Sequence, residues 1–204
     1  MTTTATVTLS LDGYVAGPDQ SLGDPLGRGG EALHRWMFAD PMHPVDQRWR
    51  DRILRPGVAY VMGRNMFGPV RGPWESWDGA DPGEWRGWWG EDPPYRAPVF
   101  VLTHHERAPL EMAGGTTFHF VTTGFADALR RAREAAGGEV DVAGGASTIR
   151  QAIAAGALDE LTLTISPVLL GAGERLFDGT IDPRLEQVEG ETSALATHVR
   201  YRVR

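Results

Sequence analysis

The sequence predicts an α/β fold built on a central, mostly parallel sheet. Short apolar runs bounded by glycine or proline recur along the chain, as is usual for buried strands. Amphipathic helical patterns separate several of these runs, and an alternation of strands with helices favours parallel pairing. The last two predicted strands leave few residues for a helix between them, which predicts an antiparallel C-terminal edge.

The composition predicts one domain over residues 1–204. Hydrophobic residues make up 41% of the chain and charged residues 23%, enough to bury a sizeable core without covalent crosslinks. Cysteine is absent, which excludes disulfides, thiolate metal sites and cysteine nucleophiles. Lysine is absent too, since all 20 basic residues are arginine, and this excludes Schiff-base chemistry and a P-loop.

The charge balance argues against nucleic acid as a partner. The chain carries 20 basic and 27 acidic residues, a net charge of −7, and has no long basic run. No stretch approaches the roughly 18 apolar residues that cross a membrane. The N-terminus lacks the basic and apolar regions of a signal peptide. We expect a cytoplasmic protein that binds neither nucleic acid nor membrane.

The first half of the chain predicts four strands and two short helices. Residues 4–11 alternate apolar with polar side chains, as a half-buried strand does. The helical spacing over 31–54 is interrupted by Pro41 and Pro44, which predicts two helices, the second including Trp49, Ile53 and Leu54. Apolar runs at 58–62, 98–102 and 117–121 predict buried strands.

The segment 68–97 is rich in tryptophan. It contains Trp74, Trp77, Trp85, Trp88 and Trp89 among repeated glycine, proline and aspartate. Because aromatic side chains at this density favour burial, we expect an ordered excursion folded onto the domain. Packing, within a small core or at a subunit interface, is favoured over stacking on an aromatic substrate.

The second half predicts helices at 125–136 and 147–155 and strands at 139–143, 161–165 and 195–203. The strand at 139–143 leads into Gly144 and Gly145, and the helix that follows carries Ala146, Ser147 and Thr148 at its start. Glycine lets a ligand approach the backbone, and a helix start offers free N–H groups and a positive dipole end. This arrangement fits a phosphate or pyrophosphate; the alternative is a turn that binds nothing.

Two other strand ends carry side chains suited to an anion. Gly63, Arg64 and Asn65 follow one strand, and Thr103 and His104 follow another. Ligands of open α/β sheets bind outside the carboxyl ends of strands, so the three ends together predict one polyanion site. The alternative is that these side chains are solvated at the surface. The adjacent histidines predict no metal site, because neighbouring strand residues face opposite sides.

Four short motifs, at 10–16 (SLDGYVA), 62–64 (MGR), 101–103 (VLT) and 143–145 (AGG), occur in a familiar order and spacing. The segment 159–177, which includes PVLLGAGERLF, is the most specific. In these residues the chain resembles the dihydrofolate reductase-like superfamily, and within it the reductase (C-terminal) domain of the riboflavin-biosynthesis bifunctional deaminase–reductase. The resemblance implies a three-layer fold with helices on both faces of the sheet.

The resemblance also implies NADPH as the cofactor. Residues 145–151 would hold the pyrophosphate, Arg64 with Thr103 and His104 would bind the ribose 2′-phosphate, and the first strand would contact the nicotinamide. A 2′-phosphate contact favours NADP over NAD. The expected cofactor contacts are Thr8, Val15, Gly63, Arg64, Asn65, Met66, Thr103, His104, Gly144, Gly145, Ala146, Ser147 and Thr148.

At several positions of the expected site, most of them for the substrate, this chain departs from the relatives that it resembles. Folate reductases carry threonine at the position of Met66, and riboflavin-pathway reductases carry glutamate at the position of Ala143. Folate reductases also place a carboxylate of the first helix beside the pterin ring. The candidates for that carboxylate here are Glu31, Asp40, Asp46 and Asp51. Asp12, which precedes a glycine, is interpreted as a turn former.

We therefore expect an NADPH-dependent reductase of a small heterocyclic substrate, pterin- or pyrimidine-like, with no catalytic residue assigned. The alternative is a non-catalytic NADP(H)-binding or interaction protein that retains the fold. The resemblance and the excess of tryptophan favour a homodimer.

Overall fold

The structure is a computed structural model that describes residues 1–68, 71–74 and 85–204. The strands in these ranges are β1 (Thr3–Ser10), β2 (Tyr14–Ala16), β3 (Val58–Gly63), β4 (Pro98–Leu102), β5 (Leu110–Glu111), β6 (Thr117–Val121), β7 (Glu139–Gly144), β8 (Glu160–Ser166), β9 (Glu174–Arg175), β10 (Leu185–Thr192) and β11 (Thr197–Val203). The α-helices there are α1 (Arg35–Phe38), α2 (Pro44–Arg50), α3 (Arg64–Phe67), α4 (Phe125–Ala135) and α5 (Ala146–Ala154).

Within the described residues, nine strands form one sheet in the order β10-β11-β8-β1-β7-β3-β4-β6-β5. The strands from β8 to β6 in this order run parallel. β11 is antiparallel to β8, β10 to β11, and β5 to β6. This confirms the prediction of a mostly parallel sheet with an antiparallel C-terminal edge. The sequence did not predict β10, because its side chains are mostly exposed and lack apolar alternation.

One face of the sheet is covered by α4 and α5. Leu129 of α4 and Ile149 of α5 pack with Val61, Val142 and Leu163 of the strands in a buried apolar cluster. Apolar residues of α4 recur on one side of the helix, as the sequence predicted. The start of α5 is thereby held against the carboxyl end of β7.

The expectation that all arginines of α4 face outward is correct for Arg130 alone. Arg131 and Arg133 are half-buried, because Arg131 lies over the ring of Phe100 and Arg133 Nη2 donates to Thr3 Oγ1 at 2.9 Å.

The opposite face carries a second apolar cluster. Tyr60 and Met62 of β3 point away from the face covered by α4 and α5, because successive strand residues face opposite sides. They pack with Phe67, Trp74 and Phe118. Phe67 belongs to α3, so helices lie on both faces of the sheet, as expected.

The described part of the tryptophan-rich segment belongs to this second cluster. Trp74 is 4% exposed, and Trp85 packs against the cluster while its indole N–H donates to the carbonyl of Phe67 at 2.9 Å. Trp89 is 56% exposed. Trp77 lies outside the described residues. The packing of Trp74 and Trp85 agrees with a small core, one of the two favoured interpretations, and the subunit interface stays a prediction.

The helical region before β3 is shorter than predicted. A 3-10 turn at Gly30–His34 leads into α1, a cis Asp40–Pro41 bond follows, and α2 begins at Pro44. The expectation that Ile53 and Leu54 belong to the second helix is wrong, because α2 ends at Arg50. The N–H of Ile53 donates to the carbonyl of Arg50 at 3.0 Å, a tight turn that ends the α-helical pattern.

Candidate functional site

The sheet opens between β1 and β7 at its carboxyl end. The pairing of β1 with β7 ends at Ala5 opposite Val142, whereas its pairing with β8 continues to Ser10. β7 instead stays paired with β3 as far as Gly144. The last five residues of β1 therefore have a neighbouring strand on one side only. A notch lies between them and the end of β7.

The backbone of Thr8 faces this notch. The carbonyl of Thr2 accepts from Val140 N toward β7, and that of Thr3 accepts from Asp159 N toward β8. Backbone groups of successive strand residues point to alternate sides, so the N–H and C=O of Thr8 point toward β7. The pairing with β7 has ended by this point, and these groups are placed to hydrogen-bond a ligand.

Three strand ends lie side by side next to the notch. Met62 of β3 pairs with Gly144 of β7, and Gly63 pairs with Leu102 of β4. The residues that follow, at 145–148, 64–65 and 103–104, consequently emerge at one edge of the sheet. The structure thus brings together the three segments that the sequence analysis selected.

Backbone N–H groups at the start of α5 are free for a ligand. No side chain caps this helix at Gly145, whose carbonyl accepts from the N–H groups of Thr148 and Ile149. The first N–H groups of a helix have no acceptor within it, and those of Ala146 and Ser147 have none elsewhere in the described ranges. Together with the helix dipole they suit an anion.

The glycines at this edge differ in the space around them. A Cβ added to Gly63 would lie 2.8 Å from Thr148 Oγ1, and one added to Gly144 would lie 3.4 Å from Met66 Sδ. Gly144 also has a φ of 127°, which favours glycine. At Gly145 a Cβ would meet nothing within 4 Å. Thr148 and Met66 therefore support the glycines by packing, and the space open to a ligand is beside Gly145.

Arg64 is held in place with donors unused. Its guanidinium carbon lies 3.8 Å from the ring centre of Trp74, and Nη1 donates to the carbonyl of Gly72 at 2.6 Å. Nε and Nη2 are buried and have no hydrogen-bond partner among the residues that the structure describes. Burial also lowers the pKa of Arg64 below its usual range. A phosphate would satisfy both donors.

The turn at Thr103 and His104 is tied to Arg64 through Trp74. Trp74 Nε1 donates to the carbonyl of His105 at 3.0 Å. Thr103 is 8% exposed, and its Oγ1 accepts from His105 N at 3.2 Å within the same turn. The hydroxyl of Thr103 is thus already engaged, whereas the side chain of His104 is exposed.

The other expected cofactor contacts surround the same region. Asn65 Nδ2 donates to Gln20 Oε1 at 3.5 Å, and the backbone carbonyl of Asn65 accepts from Trp88 Nε1 at 3.3 Å. Ser147 is exposed at the first turn of α5. Val15 lies in β2, just after β1, and packs against the cluster under α4 and α5. Contact of these residues with a cofactor stays a prediction.

Asp12 anchors the loop after β8. Its Oδ1 accepts from Ser10 Oγ at 2.5 Å and from Leu170 N at 3.1 Å, and its Oδ2 accepts from Gly171 N at 2.7 Å. These hydrogen bonds, the one from Ser10 foremost, lower the pKa of Asp12 to about 2. This agrees with a structural role for Asp12, because its carboxylate is satisfied by Ser10 and by two backbone N–H groups of the loop after β8.

One of the four candidate carboxylates is buried. Glu31, Asp40 and Asp51 are exposed, whereas Asp46 of α2 is fully buried. Asp46 Oδ1 lies 2.8 Å from His198 Nε2, and its Oδ2 has no partner among the described residues. The sequence alone does not distinguish the four carboxylates. The i, i+3 spacing of Asp46 and Trp49 is the signal that could have selected Asp46, because it places both on one side of α2.

His198 of β11 completes this buried group and is a residue that the sequence did not predict to be functional. Its Nδ1 lies 2.9 Å from Thr164 Oγ1 of β8. Burial lowers the pKa of His198 below 6.5, and the hydrogen bond with Asp46 opposes this effect in part. No local motif marks His198, because its partners come from distant segments.

The described residues contain no group of three or more His, Asp or Glu side chains arranged to hold a metal ion. None of the helices in the same part of the chain is long and apolar enough to span a membrane.

Several solved structures share this fold. A putative riboflavin biosynthesis protein from Shewanella sp. PV-4 matches with a TM-score of 0.68 and 20% identity, over 100% of this chain and 99% of that one. Dihydrofolate reductase from Enterococcus faecalis, complexed with NADP(H), matches with a TM-score of 0.56 and 16% identity, over 99% of this chain and 96% of that one. These likenesses confirm the dihydrofolate reductase-like fold.

A pyrimidine reductase-like protein from Corynebacterium diphtheriae matches with a TM-score of 0.56 and 16% identity, over 99% of this chain and 91% of that one. The sequence has no significant match among curated proteins. The family model of the RibD C-terminal domain matches residues 2–199, nearly the whole chain. On that match, the chain belongs to the RibD C-terminal domain family.

Proposed function

We propose that this protein is an NADPH-dependent reductase of a small heterocyclic substrate. The observation that carries the proposal is one edge of the sheet, where the open space at Gly145, the start of α5 and the unpaired donors of Arg64 follow neighbouring strand ends. Family membership supports an oxidoreductase, and one structure of the same fold is complexed with NADP(H). The reductases among the neighbours support a heterocyclic substrate.

The residues present fit a dinucleotide phosphate. The free N–H groups of Ala146 and Ser147 would bind the pyrophosphate, which would lie in the open space beside Gly145. Arg64 would bind the 2′-phosphate through Nε and Nη2, its two buried donors without a partner. The exposed His104 side chain follows a strand end next to Arg64 and would be a second contact.

When bound, NADPH would supply the hydride. The chain's own part is to bind and orient the cofactor. The backbone N–H and C=O of Thr8 would hold the nicotinamide amide at the notch, where β1 has no partner strand. The notch at the carboxyl end of the sheet would then accept the substrate beside the nicotinamide.

Calorimetric titration with NADPH and NADH tests the cofactor. We expect micromolar affinity for NADPH and at least about tenfold weaker binding of NADH, a difference of about 1.4 kcal/mol. Arg64→Ala removes the 2′-phosphate donors and should weaken NADPH more than NADH. Arg202→Ala, an exposed arginine on β11 that pairs with Glu186, is the matched control. Equal losses of NADPH affinity in Arg64→Ala and Arg202→Ala would refute the placement of the 2′-phosphate.

Gly145→Ala tests the pyrophosphate site separately. The added Cβ meets no protein atom within 4 Å, so the melting temperature should change little. The Cβ would occupy space that the pyrophosphate needs, and NADPH affinity should fall by about tenfold or more. Unchanged affinity would show that the ligand does not approach this glycine.

The burial of Asp46 favours a second candidate, a non-catalytic NADP(H)-binding protein. The one buried carboxylate of the candidate set is paired with His198 and is not exposed to a ligand. Loss of NADPH absorbance with pterin, pyrimidine or quinone acceptors would exclude this alternative. Binding without oxidation of any acceptor would favour it. The homodimer remains a prediction that sedimentation would test.

A further inference from the structure

The free edge of β1 needs support from outside the sheet. Beyond Ala5 the strand is paired with β8 alone, so a small shift of Thr8 would change the width of the notch. One side chain reaches this part of β1 from α1. Trp36 Nε1 donates to Thr8 Oγ1 at 3.3 Å, and the Trp36 side chain is 1% exposed.

Trp36 is in turn held by a buried polar group. Its ring meets the imidazole of His198 edge-on, with 4.9 Å between ring centres. Trp49 of α2 stacks on the same imidazole at 5.2 Å. His198 has no freedom to turn, because Asp46 and Thr164 hold its two nitrogens at 2.8 and 2.9 Å.

The contacts close into a ring across two strands. Thr8 of β1 and Thr164 of β8 are register partners, so their side chains lie next to each other on one face of the sheet. Thr164 contacts His198, His198 contacts Trp36, and Trp36 returns to Thr8. The position of Thr8 is thereby linked to α1, α2 and β11.

We propose that Trp36, fixed by the Asp46–His198 pair, positions the ligand-facing edge of β1 at Thr8. Asp46 and His198 are 0% exposed and do not reach a ligand, so they act through Trp36. These three are positioning residues. The inference rests on the proposed function for its ligand, but the placement of β1 is measurable without one.

Trp36→Phe tests the link, with Trp49→Phe as the matched control. Both variants keep a ring against His198 and lose one indole N–H. Only Trp36 donates to β1, since Trp49 Nε1 donates to Glu191 at 2.8 Å. For Trp36→Phe we expect the NADPH dissociation constant to rise about fivefold, as for loss of one neutral hydrogen bond. The control should change it less than twofold.

Amide hydrogen exchange of residues 6–10 gives a readout that needs no ligand. We expect faster exchange there in Trp36→Phe than in Trp49→Phe, with both proteins compared at an equal distance below their melting temperatures. Equal exchange in the two variants would overturn the inference. A wild-type protein that binds no NADPH would instead refute the proposed function, and the exchange comparison would still decide the role of Trp36.

Thr8→Val keeps the test available if Trp36→Phe does not fold. Valine preserves the branched shape of Thr8 and removes the acceptor of the Trp36 hydrogen bond. It should reproduce the faster exchange of residues 6–10. In the double variant the two effects should not add, because both remove the same bond. Additive effects, or normal exchange in Thr8→Val, would contradict the proposal.

Discussion

Replacing Gly63 with alanine tests how closely β3 packs against the start of α5. Gly63 has a φ of −75°, so alanine meets no backbone strain there. Its Cβ, however, would lie 2.8 Å from Thr148 Oγ1 and 3.6 Å from Gly145 N. Thr148 is 3% exposed and has no space to retreat into solvent. The substitution therefore pushes on the first turn of α5, where the pyrophosphate is proposed to bind.

The expected cost follows from the size of that overlap. Overpacking a buried contact costs about 1–3 kcal/mol. For a chain of this length, 1 kcal/mol lowers the melting temperature by about 2–4 °C. We therefore expect Gly63→Ala to melt a few degrees lower than wild type. Displacement of α5 should also weaken NADPH binding, by about tenfold if one backbone contact of about 1.4 kcal/mol is lost.

Two further variants isolate the contact, with melting followed by calorimetry and affinity by NADPH titration. Gly23→Ala adds a Cβ at an exposed glycine where nothing lies within 4 Å, and it should melt as wild type does. Thr148→Ala removes Oγ1, so the double variant should lose less stability than the sum of the single variants. A Gly63→Ala protein that melts within about 1 °C of wild type, or strict additivity, would refute the reasoning.

Three other outcomes follow from the structure. Burial raises the pKa of Asp141 to about 7, so the folded protein keeps this carboxyl protonated at pH values where the unfolded chain ionises it. The free energy of unfolding of wild type therefore falls as pH rises toward 7, and Asp141→Asn should be more stable than wild type between pH 5 and pH 8 in thermal melts. The pKa of Asp12 is lowered to about 2, so Asp12→Asn should melt lower than wild type at pH 7, and the gap should close toward pH 2. Arg150 of α5 donates to the carbonyl of Arg175 and pairs with Asp178 at 3.1 Å, so Arg150→Met should speed amide exchange in 174–178, and unchanged exchange would disprove this tether.

The strand ends of the candidate site could be predicted from the sequence because their signals are local. The predicted strands at 98–102 and 117–121 coincide with β4 and β6, and the helix start after Gly145 lies within one residue of its expected position. Glycine after an apolar run, followed by helical spacing, is a pattern that neighbouring residues carry by themselves. The edge strand β10 had no such pattern, because its exposed side chains are held by ion pairs such as Arg52 with Glu189.

The sequence by itself determined the fold class, the three polar strand ends and the glycine pair that leads into α5. Tertiary structure alone decided that β1 separates from β7 after Ala5, and that Asp46 is the carboxylate that becomes buried. Asp46 and His198 are 152 positions apart, and only the pairing of β8 with β11 and the packing of α2 bring them together. Local patterns follow from backbone and side-chain preferences, whereas burial and register depend on which distant segments meet.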